Sequence, residues 1–253
     1  MIRSVSVLSA LWIAIAVLAA ACADNALPRQ QLETMAPSAP TAAETPPRAR
    51  ADALQAVVIG DEFAFGTISG GSASKNWTVI LQRLAAQSGI DVYIRNFSHD
   101  GAGYTATVPG APTFAEQVAR GVNPDTNLVI LAGGGNDINA LPALHDAAVA
   151  TLNRVKSVAP QASILVVGPS WWRPGPPDDA ILSARNVVRG AADAAGAPFI
   201  DPIAEGWFAG RDGLMSPDHL HINAAGQHVI ADHLAEPVVA ALRQQHPAAA
   251  PSP

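Results

Sequence analysis

The sequence predicts a doubly wound α/β domain built on a parallel sheet, and three observations carry that expectation. Short apolar runs of strand type alternate with longer stretches of helical period. The runs are apolar at consecutive positions, which suits strands covered on both faces. Small and polar residues cluster directly after the runs, where an open α/β sheet places its site. Right-handed crossovers between parallel strands then favour a three-layer α/β/α arrangement.

The elements follow in chain order. Gln55–Gly60, QAVVIG, is a strand that runs into a tight turn at Gly60. The stretch KNWTVILQRLAAQSG places Trp77, Ile80, Leu81 and Leu84 on one helical face, and Gly89 ends the helix. DVYIRNF is the second strand, and NLVILAGG is the third, entering a glycine-rich turn. ALHDAAVATLNRVKSVAP is a helix stopped before Pro160, and SILVVGPS is the fourth strand. DDAILSARNVVRGAADAAG is a helix with Asp178 or Asp179 at its N-terminus, where a carboxylate suits the helix dipole. PFID is a short fifth strand, and NAAGQHVIADHLAEPVVAALRQ is the last helix, with a bend expected at Pro237.

The whole chain has 253 residues, 49% hydrophobic and 14% charged, which suits one domain with a sizeable core. A net charge of -6 and the lack of a basic stripe argue against a nucleic-acid partner. Lysine occurs only at 75 and 156 among many arginines and alanines, a bias of GC-rich, actinobacterial-like genomes. Residues 1–23 are expected to be a signal peptide: Arg3 precedes an apolar run that ends in a cleavage pattern at Ala21-Cys22-Ala23. The rival reading makes Cys22, the only cysteine, a lipidated first residue. Neither reading allows a disulfide. Residues 24–53 read as a disordered Pro/Ala-rich linker, 54–243 as the folded domain and 244–253 as a disordered tail. An exported, envelope-associated monomer is the resulting expectation.

The strand ends carry the chemistry. Asp61 and Glu62 follow strand one, Asn96 to Gly103 follow strand two, and Asn136 and Asp137 follow strand three. Asp218 and His221 precede the last helix. A carboxylate three residues before a histidine can bond one ring nitrogen, fix the tautomer and steady the imidazolium, as the third member of a hydrolase triad does. The Asn136 amide and the Gly101 backbone N–H could together stabilise charge on a carbonyl oxygen. Asp61 and Asp137 are expected to bond backbone groups and hold the site loops.

Four short motifs in this order resemble the SGNH (GDSL-type) hydrolase family over about residues 55–243. They are Gly60-Asp61-Glu62 against Gly-Asp-Ser, Asn96 with Gly101, Gly134-Gly135-Asn136-Asp137, and Asp218 with His221. The resemblance implies a flavodoxin-like five-stranded sheet and hydrolysis of esters or acyl groups on lipids or sugars. It makes His221 the base, Asp218 its orienter, and Gly101 and Asn136 the oxyanion donors. It implies no cofactor and no metal.

Glu62 stands where the family carries its nucleophilic serine. A carboxylate is a weaker nucleophile toward an ester and would form a mixed anhydride. Three readings follow. The protein is a degenerate hydrolase whose carboxylate fills its own oxyanion hole; or Glu62 activates water, or a hydroxyl such as Ser69, Ser72, Ser74, Ser98 or Ser216 substitutes; or Asp61, Glu62, Asp218 and His221 bind a divalent metal. The first is the leading expectation, with little or no conventional esterase activity. A non-catalytic module that binds envelope lipid or polysaccharide is the alternative.

Tyr104, Trp171, Trp172 and Trp207 are the candidate lining of an acyl or sugar pocket, with Phe208 nearby. Gly101–Ala106, GAGYTA, fits a dinucleotide fingerprint only in spelling, because Pro109 and Pro112 interrupt the helix it needs. His219 reads as a solvent-facing loop residue, and His228 and His233 as surface or core residues of the last helix.

Overall fold

Five parallel strands are ordered β2-β1-β3-β4-β5 in the computed structural model, with helices on both faces. The structure describes residues 52–66, 71–105, 108–217 and 221–245, all within one unit of the chain, Ala42–Pro253. The expected signal peptide, nearly all of the linker, and the tail from residue 246 lie outside the described residues. Among the described residues no helix is long and apolar enough to cross a membrane.

The strands are β1 Leu54–Gly60, β2 Val92–Asn96, β3 Leu128–Ala132, β4 Ser163–Val167 and β5 Phe199–Ile200. Every residue of β3 is buried, as a central strand covered on both faces requires. The helices are α1 Glu62–Phe65, α2 Trp77–Gln87, α3 Phe114–Gly121, α4 Leu141–Val158, α5 Asp179–Ala194 and α6 Ala224–Gln245. Alternate residues of each strand divide between two cores. Ala56, Val58, Leu128 and Ile130 face α2 and α6, where Trp77, Leu81, Ile230 and Leu234 are buried. Val57, Ile59, Val129 and Leu131 face α3, α4 and α5, where Phe114, Leu144, Leu152 and Val188 are buried.

One element differs from the sequence reading, and two others agree with it. The helix α3 was not expected. Its start carries a capping box, with the Thr113 hydroxyl accepting from the Glu116 N–H at 3.2 Å and Glu116 accepting from the Thr113 N–H at 2.7 Å. The sequence TFAE is the local signal for this start, and Pro109 and Pro112 precede it. The last helix is one element from Ala224 to Gln245, with Pro237 inside it. The helix expected to open at Asp178 or Asp179 starts with Asp178 as its cap, accepting from the Ile181 N–H at 2.9 Å.

Strand order places the site. The chain leaves β1 toward one edge of the sheet and later returns to lay β3 on the other side of β1. The loops after β1 and β3 therefore diverge and open a crevice at the carboxyl ends. Gly60 pairs with Ala132 in that register, so residues 61–62 and 133–136 leave the sheet side by side. Gly60 is required by this approach, since a Cβ there would sit 2.6 Å from the Ala132 carbonyl oxygen.

Candidate active site

Glu62 is the first residue of α1, a single turn capped by Asp61. Asp61 is buried, and its two oxygens clamp two loops. Its Oδ1 accepts from the Phe63 N–H at 3.0 Å, and its Oδ2 accepts from the Gly134 N–H at 3.1 Å. Gly133 has φ +136°, and a Cβ there would fall 2.1 Å from Asp61 Oδ2, so only glycine fits against the carboxylate. The other end of the α1 turn is held by amides. Asn76 Nδ2 donates to the Ala64 and Phe65 carbonyls at 3.1 and 3.2 Å, and Asn96 Nδ2 donates to the Ala64 carbonyl at 2.7 Å.

Gln117 supports the turn from α3. Its Oε1 accepts from the Gly60 N–H and its Nε2 donates to the Gly60 carbonyl, both at 2.9 Å. This buried amide satisfies the backbone immediately before the turn. It escaped sequence reasoning because a glutamine 57 positions away carries no motif.

The third strand delivers Asn136 on a short 3₁₀ turn, Gly135–Asp137. Asn136 Nδ2 donates to Glu62 Oε2 at 2.8 Å and to the Ala102 carbonyl at 2.9 Å. Glu62 and Asn136 are 74 positions apart, and the β1–β3 register joins them. Asp137 is fully buried and ties this turn to the loop after β2. Its Oδ2 accepts from the Tyr104 N–H at 3.0 Å, and its Oδ1 accepts from the Thr105 N–H and hydroxyl at 2.8 and 2.6 Å. Gly101 lies in the same loop with φ +72°, one residue before the carbonyl that Asn136 bonds.

Asp218 and His219 lie outside the described residues, and His221 lies within them. The His221 carbonyl accepts from the Ser216 N–H at 2.8 Å, and Ile222 forms a bridge with Met215. Asn223 then starts α6, its Oδ1 accepting from the Ala225 and Gly226 N–H groups at 2.9 and 3.1 Å. His221 is thus delivered half-buried just before the last helix.

A cavity of about 290 Å³ opens beside Glu62, lined by Asp61, Asn136, Ser170, Trp171, Trp172 and Ile181 among others. Trp171 and Trp172 are therefore on its wall. Two other aromatic candidates are corrected. Trp207 is fully buried in the core beneath α6, stacked on His233 at 4.7 Å, with its indole N–H on Glu205 at 2.7 Å. Tyr104 is buried against Phe114 at 4.6 Å and does not line the cavity. Large aromatics near strand ends serve the core as readily as a pocket, and side-chain direction decides which. Among the described residues no three His, Cys, Asp or Glu side chains converge as metal ligands.

Ser170, three residues after β4, follows the fourth strand as the sequence places it, beside Trp171 and Trp172. Its hydroxyl is buried and has no hydrogen-bond partner among the described residues, and Ser170 lines the cavity. A buried hydroxyl with no partner costs about 1–3 kcal/mol. Ser170→Ala is therefore expected to leave the thermal midpoint unchanged or raise it, which differential scanning fluorimetry would read.

Burial pushes the Asp61 carboxyl well above the usual range, and the neighbouring Glu62 charge adds to this, against the two backbone N–H bonds. Burial likewise raises Asp137, against its bonds from Thr105 and Tyr104. A carboxyl raised on folding holds its proton more tightly in the native state than in the unfolded one. Its contribution to stability is present below the unfolded value and is lost as pH rises through the folded one. Denaturant unfolding is therefore expected to show greater stability near pH 5 than at pH 7.5. That slope should flatten in Asp61→Asn.

The sequence pattern of the GDSL-like Lipase/Acylhydrolase family matches residues 58–229. The chain belongs to this family. It is 36% identical over 185 residues to GDSL lipase Rv0518 of Mycobacterium tuberculosis, covering 70% of this chain and 78% of that protein. Solved structures agree on the fold. A lipase/acylhydrolase from Enterococcus faecalis aligns with TM-score 0.58 at 16% identity, over 74% of this chain and 96% of that one. The structure of TesA aligns with TM-score 0.57 at 21% identity, over 75% and 98%. The aryl esterase of M. smegmatis aligns with TM-score 0.54 at 18% identity, over 74% and 99%. These likenesses show a shared fold. A hydrolase of esterase or lipase type is thus the family setting of the Glu62 site.

Proposed function

We propose that this chain is an exported family member that binds acylated lipid or carbohydrate of the cell envelope and hydrolyses esters weakly or not at all. Glu62 stands in it where the family's serine is expected. The single observation that carries this reading is the 2.8 Å bond from Asn136 Nδ2 to Glu62 Oε2. In the family's chemistry that amide would stabilise the oxyanion formed as an ester carbonyl is attacked. Here the amide already holds an anion, and its second N–H is on the Ala102 carbonyl. An incoming carbonyl oxygen meets an occupied donor and a negative charge, so the charge that must develop on it is disfavoured rather than stabilised.

The binding half of the proposal rests on the cavity beside Glu62, whose Trp171, Trp172 and Ile181 walls suit an acyl chain or the face of a sugar. Export, with a lipid anchor on Cys22 as its variant form, rests on the sequence of residues 1–23. A monomer is part of the same reading.

The test is hydrolysis of p-nitrophenyl butyrate by the purified chain and its His221→Ala variant. The expected result is no turnover above background in either. Turnover by the wild type that disappears in His221→Ala would overturn the reading and point to water activated by Glu62.

A further inference from the structure

A second cavity, about 460 Å³, adjoins the one beside Glu62. The two share a wall formed by Trp171, Trp172 and Arg173. Their charges are opposite. The first is lined by Asp61, Glu62 and Asp178, with Arg173 at the junction. Among the described residues, the only charged ones lining the second are Arg173 and Arg211. The rest of its wall is apolar or backbone-rich, with Trp172, Phe208 and Met215 among it.

Arg185 and Arg189, by contrast, share the Asp201 carboxylate. Among the described residues neither Arg173 nor Arg211 has a carboxylate partner. Arg173 is held in place instead by the Trp171 ring, 5.7 Å from its guanidinium carbon, and the Trp171 indole N–H donates to the Gly175 carbonyl at 3.0 Å. Pro174, Pro176 and Pro177 limit the freedom of the same loop. A guanidinium fixed in this way loses little entropy on binding an anion.

We propose that the second cavity is a subsite for the phosphate group of an amphiphilic ligand, held by Arg173 and Arg211 while its acyl chain enters the cavity beside Glu62. This rests on the reading of that first cavity as an acyl-ester site. Two guanidiniums match the several oxygens of a phosphate, and Glu62 repels an anion from the first cavity. The ligand is thereby oriented, apolar end toward Glu62 and charged end toward Arg211.

The experiment is isothermal titration calorimetry of the full chain with hexyl phosphate, hexyl glucoside and inorganic phosphate. Hexyl phosphate is expected to bind at least tenfold tighter than either other probe, and less tightly as salt is raised. The Arg173→Gln/Arg211→Gln double variant should lose this preference with an unchanged circular dichroism spectrum, which shows that the variant is folded. Equal affinity for the two hexyl probes would overturn the subsite. So would a preference that survives the double variant, or inorganic phosphate binding as tightly as hexyl phosphate. Hydrolysis of the uncharged p-nitrophenyl butyrate by a Glu62→Ser variant separates this from the parent reading. If that variant is active and the phosphate preference is absent, only the subsite fails. If it is inert and the arginine-dependent preference is present, the ester reading fails and the anion site stands.

Discussion

Glu62→Ser is expected to convert an inert chain into an esterase, with turnover of p-nitrophenyl butyrate at least about 10²-fold above the wild type. The substitution does two things at once. It removes the carboxylate that occupies Asn136 Nδ2, freeing a donor for a carbonyl oxygen. It also places a hydroxyl at the first residue of α1, on a turn whose backbone is already fixed by Asp61, Asn76 and Gln117. A serine is well tolerated at such a helix start. The gained activity should depend on the rest of the site. Adding His221→Ala should cost about 10²–10⁴ in rate, the usual worth of a positioned general base. Adding Asn136→Ala should cost about 10²–10³, the usual worth of one oxyanion donor. If Glu62→Ser is inert although circular dichroism shows it folded, the site is not a hydrolase disabled at one position.

Asp61→Ala is expected to lower the free energy of unfolding by about 3 kcal/mol, through two buried N–H groups left without acceptors and the loss of a helix cap. The Phe63 and Gly134 N–H groups are those donors, and they belong to the loops after β1 and β3. Relief of the carboxyl's own burial offsets part of the loss, since its proton affinity is already raised. In thermal terms the change is roughly 6–12 °C for a domain of this size. Asp61→Asn should cost less. Its oxygen can still accept from Phe63, while its NH₂ faces the Gly134 N–H. A result in which Asn costs as much as Ala would assign the effect to the Gly134 bond alone. No loss in Ala would mean that the clamp does not hold the two loops.

Much of the fold was legible because its signals are local. Val57–Gly60 and Leu128–Ala132 are apolar at every position, so they read as central strands without any knowledge of their partners. The helix α3 is short and directly preceded by Pro109 and Pro112, so its local capping box stands in a stretch that reads as a loop. The site was legible in part. Glu62 and Asn136 stood out as strand-end residues, and the structure joins them by a direct bond. Gln117 carried no pattern, since it matters through what surrounds it. Trp207 was misread for the converse reason: its position near a strand end is visible in sequence, but its burial is not.

The sequence by itself determined the α/β class, the order of the elements, and the presence of a carboxylate at the turn after β1. These depend on periodicity and on residue type at a given position. Only the tertiary structure decided that the Glu62 carboxylate and the Asn136 amide lie 2.8 Å apart, that Asp61 spans two loops, and that Arg173 and Arg211 face one cavity. Each of those facts joins residues far apart in the chain. Such distances are set by strand register and side-chain direction, and no local pattern encodes them.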